Sequence, residues 1–89
     1  MGDSGSFSIR VVDEDGDGVE GVEVSCQYGI VAGVGSEYTD SDGWAQFDIV
    51  ERAISGDAKS IRKIWINGQE VSDREFYPED GDTFSFTLP

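Results

Sequence analysis

The sequence predicts an all-β chain, a single small antiparallel β-sandwich of about seven strands. Three observations lead there. Short runs alternate apolar and polar residues, the period of a half-buried strand, as in Phe7-Ser8-Ile9-Arg10-Val11 and Phe84-Ser85-Phe86-Thr87-Leu88. Turn chemistry rich in Asp, Asn and Gly separates these runs. No stretch carries the 3.6-residue apolar period of a useful amphipathic helix.

The elements follow in chain order. Residues 1–6 read as a disordered lead-in and 7–89 as one domain. Phe7 to Val11 is the first strand, broken by Asp13-Glu14-Asp15-Gly16-Asp17-Gly18. Val22-Glu23-Val24-Ser25-Cys26 alternates again, so the first two strands are expected to form a hairpin. The stretch with Gly29, Gly33 and Gly35 holds the end of strand two, a loop and the start of strand three. Thr39 to Gly43 is a turn, after which Ala45, Phe47 and Ile49 point one way and Trp44, Gln46 and Asp48 the other. Residues 51–60 have no clear period and read as a loop, with room for one helical turn. Ile64-Trp65-Ile66 runs into Asn67-Gly68, the strongest hairpin signal present, because both residues tolerate the positive φ of a type I′ turn. Gln69-Glu70-Val71 returns from it. Tyr77 to Asp82 is the last turn, and Phe84 to Leu88 the last strand. The inward set is Phe7, Ile9, Val11, Val22, Val24, Ala45, Phe47, Ile49, Ile64, Ile66, Phe84, Phe86 and Leu88. A chain of 89 residues buries a thin core, with no slack for a large apolar ligand cavity.

Charge narrows the partners. Nineteen Asp and Glu stand against six Lys and Arg, a net charge of −13. Nucleic acid is a poor partner for such a surface, because phosphate contacts need basic groups. Anionic membranes are disfavoured for the same reason. Only Lys59 and Lys63 are lysines. Abundant acid with scarce lysine is the composition expected of a protein working in strong salt, where screening quiets self-repulsion. The plainer reading is an ordinary acidic module. The single cysteine, Cys26, excludes an intrachain disulfide and sits in an apolar alternation, as a buried small hydrophobe does. No segment has the apolar length of a membrane helix. Met1 to Gly5 lacks the basic and apolar regions of a signal peptide. The ending at Leu88-Pro89, directly after a strand, suits a domain of a longer chain.

Two stretches carry a resemblance. Val12-Asp13, the acidic turn and Gly18-Val19-Glu20-Gly21-Val22-Glu23-Val24 form one, and Tyr38-Thr39-Asp40-Ser41-Asp42-Gly43-Trp44-Ala45-Gln46-Phe47 the other. Together, over residues 7–49, the chain resembles the carboxypeptidase-regulatory-like domains and the collagen-adhesin B-type repeats. The resemblance implies a transthyretin-like (prealbumin-like) sandwich with an Ig-like Greek key. It also implies a non-catalytic accessory or interaction role, in an extracellular or cell-surface setting. The residues themselves leave a cytoplasmic location and the oligomeric state open. The adhesin repeats often carry a Lys–Asn crosslink between first and last strands. Phe7 to Val12 has no Lys and Thr83 to Leu88 no Asn or Asp, so none is expected here.

Catalysis is hard to assemble from these residues. There is no His, so the commonest general base is missing. A lone Cys without His makes no activated thiol. No phosphate-loop or dinucleotide fingerprint is present. Carboxylates are plentiful, yet nothing singles out an acid–base pair. Two candidate sites stand out. Asp13, Asp15 and Asp17 alternate ahead of Gly18, as in the opening half of a calcium loop. The twelfth position is Val24 where a bidentate Glu belongs, so an ordinary acidic turn is the competing reading, and no cofactor other than calcium is implied. Trp44 and Trp65 face away from their apolar neighbours. Outward tryptophans suit stacking on a sugar or anchoring a protein partner, or simply cover the sandwich edge. The expected function is a non-catalytic interaction module with a protein or glycan partner. The alternative is a carbohydrate-binding module that uses both tryptophans.

Overall fold

The computed structural model describes residues 5–29, 33–49 and 60–89. Among them lie seven strands and no helix: β1 (Ser6–Val12), β2 (Glu23–Tyr28), β3 (Val34–Tyr38), β4 (Trp44–Asp48), β5 (Ile61–Ile66), β6 (Gln69–Ser72) and β7 (Thr83–Thr87). They form two packed sheets, β4-β1-β7 and β3-β2-β5-β6. The all-β sandwich expected from alternation and turns is the fold observed. β1 begins at Ser6, inside the stretch read as a lead-in, and the loop expected over 51–60 lies outside the described residues apart from Ser60.

Alternation does the sorting. Along β1, Phe7, Ile9 and Val11 are buried while Ser6, Ser8, Arg10 and Val12 are not. Ala45 and Phe47 of β4 lie beside them in the same sheet, and Val24, Cys26 and Tyr28 of β2 with Ile64 and Ile66 of β5 face them from the other, all in one cluster. Phe7 stacks on Phe47 with ring centroids 5.6 Å apart. The Asn67-Gly68 turn joins β5 to β6 as expected, with φ of 52° and 82°.

Two expectations are corrected. The sheets are not wholly antiparallel, because β1 and β7 pair in parallel, Ile9 opposite Phe84 and Val11 opposite Phe86. Nor do β1 and β2 form a hairpin. After the acidic turn a single bridge joins Val12 to Gly18, and the chain then leaves for the other sheet. Thr39 captures it there. Its Oγ1 accepts the Val22 N–H at 2.9 Å and donates to the Val19 carbonyl at 2.6 Å. Gly21, at φ 78°, allows the change of direction. Both edges of β1 are already taken, by β4 and β7.

The inward set holds at ten of its thirteen positions. Phe84, Phe86 and Leu88 are only partly buried and pack on the cluster from its side. The reason is position: β4 and β7 are both outer strands, but β4 packs against β3 of the other sheet while β7 has only β1 as a close neighbour among the described strands.

Ile61 is fully buried although it is three residues from Ile64, which a regular strand would place on the opposite face. The β2–β5 register explains it. Gln27 lies opposite Lys63 and Tyr28 opposite Ile61, so Arg62 is an extra residue, a bulge that restores Ile61 to the core side.

Candidate functional site

Asp13, Asp15 and Asp17 do come together, with one carboxylate oxygen of each within 4.8 Å of the others. The arrangement is that of a capped turn. Asp13 Oδ1 accepts the Asp15 and Asp17 N–H groups at 2.9 and 3.0 Å. The Gly16 N–H donates to the Asp13 carbonyl at 3.0 Å, and the Asp13 N–H to the Asp17 carbonyl at 2.8 Å. Gly16 takes φ 87°, the left-handed position that closes a three-residue hairpin loop.

The second acidic turn repeats this network. Asp40 Oδ1 accepts the Asp42 and Trp44 N–H groups at 2.9 and 3.0 Å. The Gly43 N–H donates to the Asp40 carbonyl at 3.0 Å, the Asp40 N–H to the Trp44 carbonyl at 2.9 Å, and Gly43 has φ 88°. Asp13-Glu14-Asp15-Gly16-Asp17 and Asp40-Ser41-Asp42-Gly43-Trp44 are one design used twice. The amide donors of Trp44 and Asp42, joined by Gly43, hold the Asp40 carboxyl below the ordinary carboxylate range. The twin turn without a third carboxylate shows that the Asp13 network needs no ion to explain it. Val24, at the calcium loop's closing position, is fully buried in the core. Calcium at about 1–5 mM is therefore expected to leave the melting temperature where potassium chloride of matched ionic strength leaves it. A saturable upward shift that vanishes in Asp15→Ala would establish a cation site.

The two tryptophans are half-buried and far from equivalent. Trp44 lies on the outer face of the three-stranded sheet, and Trp65 on the outer face of the four-stranded sheet. These faces look in opposite directions, so no single ligand platform contains both. Trp44 is already engaged: Arg10, directly opposite on β1, holds its guanidinium carbon 5.8 Å from the ring centroid. Arg10 Nε donates to the Asp42 carbonyl at 3.0 Å, which fixes the cation in place.

Trp65 has different company. Ser25 of β2 and Glu70 of β6 stand opposite it in the sheet. Ser25 shares a hydrogen bond of 2.8 Å with Ser36 on β3, and Glu70 reaches Lys63 at 3.7 Å. Beside this row opens a polar cleft of about 380 Å³, lined by Gln27, Arg62, Lys63, Asp73 and Glu75. Sequence reasoning did not find it. Its one local signal, the broken apolar period Ile61-Arg62-Lys63-Ile64, is the bulge that throws Arg62 outward.

The two phenol and thiol groups nearest the core are built as structure. Cys26 is fully buried, and burial pushes its thiol up to about 12. Burial likewise raises the Tyr28 hydroxyl to about 12, helped by Cys26, Asp48 and Glu37, and that hydroxyl donates to the Asp48 carbonyl at 3.0 Å. Neither group is ionised near neutral pH, and neither faces the cleft. Among the described residues no helix is long and apolar enough to cross a membrane. No family model matches the chain, and no curated protein matches it.

Proposed function

We propose that the chain is a non-catalytic interaction module of the transthyretin-like class, which binds a protein partner through the outer face of its four-stranded sheet. One observation carries the binding face. Trp65, a large half-buried ring, stands next to a mixed-charge cleft that gathers Arg62 and Lys63, two of the six basic residues in a chain of net charge −13. An aromatic anchor ringed by groups able to make hydrogen bonds and ion pairs is the composition of a protein-binding hot spot. The class is supported by strand adjacency. A first-to-last-strand crosslink in the adhesin repeats requires those strands to be neighbours, and β1 and β7 lie side by side here. The acidic composition supports a high-salt working environment for the same module.

A second reading, sugar stacking, rests on the same face, because Trp65 is flanked by Ser25 and Glu70 while Trp44 is covered by Arg10. It falls on Trp65 alone and no longer on both tryptophans. The test sets immobilised wild-type domain and Trp65→Ala against extract of the source cells, and titrates both with soluble oligosaccharides by tryptophan fluorescence. The protein-binding reading expects a polypeptide held by wild type and weakened at least ~10-fold in Trp65→Ala, a loss of about 1.4 kcal/mol. Saturable quenching by a saccharide, lost in Trp65→Ala and kept in Trp44→Ala, would replace it with the second. A polypeptide retained equally by Trp65→Ala would move the interface to another face.

A further inference from the structure

β7 has an open side. It is one of the two outer strands of its sheet, and β1 is its one paired neighbour among the described residues. The Ser8 N–H donates to the Asp82 carbonyl at 3.0 Å, and the Leu88 N–H to the Val12 carbonyl at 2.8 Å. Backbone groups alternate sides along a strand, so Phe84 and Phe86 join this set facing β1. Thr83, Ser85 and Thr87 therefore turn their N–H and C=O groups away from the sheet, and all three are exposed.

The other edges are blunted. β3 places Glu37 at an inward position, opposite buried Val24. β6 has four residues, and its pairing skips Val71 as a bulge. β4 lies against β3 of the other sheet and carries the charge of Asp48 on its outer face. Edge charges, inward charges, short length, bulges and cover by a neighbouring element are the devices that keep sheet edges from pairing. β7 has none of them. From Thr83 to Pro89 there is no charged residue, in a chain of net charge −13.

The strand is also a palindrome: Thr83-Phe84-Ser85-Phe86-Thr87 reads the same in both directions about Ser85. We propose that β7 is a self-association edge, at which two copies of this chain pair β7 antiparallel about a twofold axis through Ser85. An isologous contact needs a self-complementary surface, and a palindromic edge is one. The centre of the palindrome is also a residue whose amide faces outward, so Ser85 meets Ser85 of the second copy as a hydrogen-bonded pair. Thr83 meets Thr87 on either side, giving about six main-chain hydrogen bonds. Phe84, already packed on Phe76 and Phe7, then lies opposite Phe86 of the second copy, and each covers a ring now only partly buried. Asp82 of each copy falls at opposite ends of the ladder, ~20 Å apart. That exceeds the Debye length of about 8 Å at physiological ionic strength, so the two Asp82 carboxylates are screened from each other.

Sedimentation equilibrium tests the pairing. In about 1 M potassium chloride the mass is expected to rise with concentration from 9.7 kDa towards twice that value, and to fall back at about 0.01 M. Ser85→Pro removes an outward N–H and leaves the β1 ladder whole, so the variant should stay folded and weaken the dimer at least ~30-fold. Ser85→Lys, which keeps the N–H but places a charge on each side of the twofold axis, should do the same, and serves if the proline variant does not fold. A monomer at every concentration up to ~1 mM in strong salt would overturn the proposal, as would a dimer that both variants leave intact.

Discussion

Stability is expected to climb steeply with salt: between about 0.01 and 1 M potassium chloride the urea midpoint should rise by ~1 M or more at constant slope. The net charge of −13 sets the sign, and the structure adds where the charge sits. The Asp13–Asp17 and Asp40–Trp44 turns are packed together, through Gly18 and Gly43, so five aspartates crowd one end of the sandwich. One ion pair, Lys63–Glu70, is present among the described residues, and it lies on the outer face of the other sheet. At ~0.01 M salt the Debye length is ~30 Å and every carboxylate feels every other; at ~1 M it is ~3 Å. Unfolding spreads the charges, so repulsion penalises the folded state more, and the thin core leaves only a few kcal/mol to oppose it. The measurement is urea unfolding across the salt series. Continued gain above ~2 M would show hydration or salting-out effects beyond screening, as a halophilic protein requires. A flat midpoint would remove the physical basis of that reading.

Gly18→Ala is expected to cost about 3 kcal/mol, a fall in melting temperature of more than ~10 °C. A Cβ at Gly18 would clash with the Asp42 carbonyl oxygen and carbon, backbone atoms held by the capped turn. The backbone at Gly18 is not left-handed, so the cost is steric alone. Relief would require the two turns to separate. That would break the 2.9 Å bond from the Val19 N–H to the Val11 carbonyl and the 2.8 Å bond from the Val11 N–H to the Gly43 carbonyl. Gly16→Ala is the control. Its φ of 87° is unfavourable for alanine, but its Cβ would meet open space, so about 1 kcal/mol is expected. Urea unfolding of both variants at ~1 M salt decides the matter. Equal losses would mean that the two turns are free to move apart.

Much of this fold was legible because strand alternation and turn chemistry are local. Val24, Cys26, Phe47 and Ile64 could be assigned inward from their neighbours, and Asn67-Gly68 announced its hairpin. What failed depended on partners distant in sequence. The acidic turn after Val12 looks like a hairpin whether or not a ladder follows. Only Thr39, seventeen residues beyond Val22, shows that the chain is handed to the other sheet. Phe84 and Phe86 alternate as well as Phe7 and Ile9 do, but their burial depends on whether the other sheet reaches over that edge, as β3 does at β4, and no residue of β7 encodes that. Trp44 and Trp65 were each correctly turned outward. That they look in opposite directions follows from sheet membership. The cleft at Arg62 escaped because a bulge reads, in sequence, as a lapse in pattern.

The parallel pairing of β1 with β7 has a mechanical consequence. Ser8 lies opposite Thr83 and Val12 opposite Thr87, so the chain enters β1 at one end of the sandwich and leaves β7 at the other. Tension applied through those two points pulls the strands past each other along their length. The hydrogen bonds between them are then loaded together, in shear, and none can open before the rest as in the unzipping of a hairpin. The first and last strands thus act as a clasp, and a domain fastened this way can carry force between whatever is tied to its two ends.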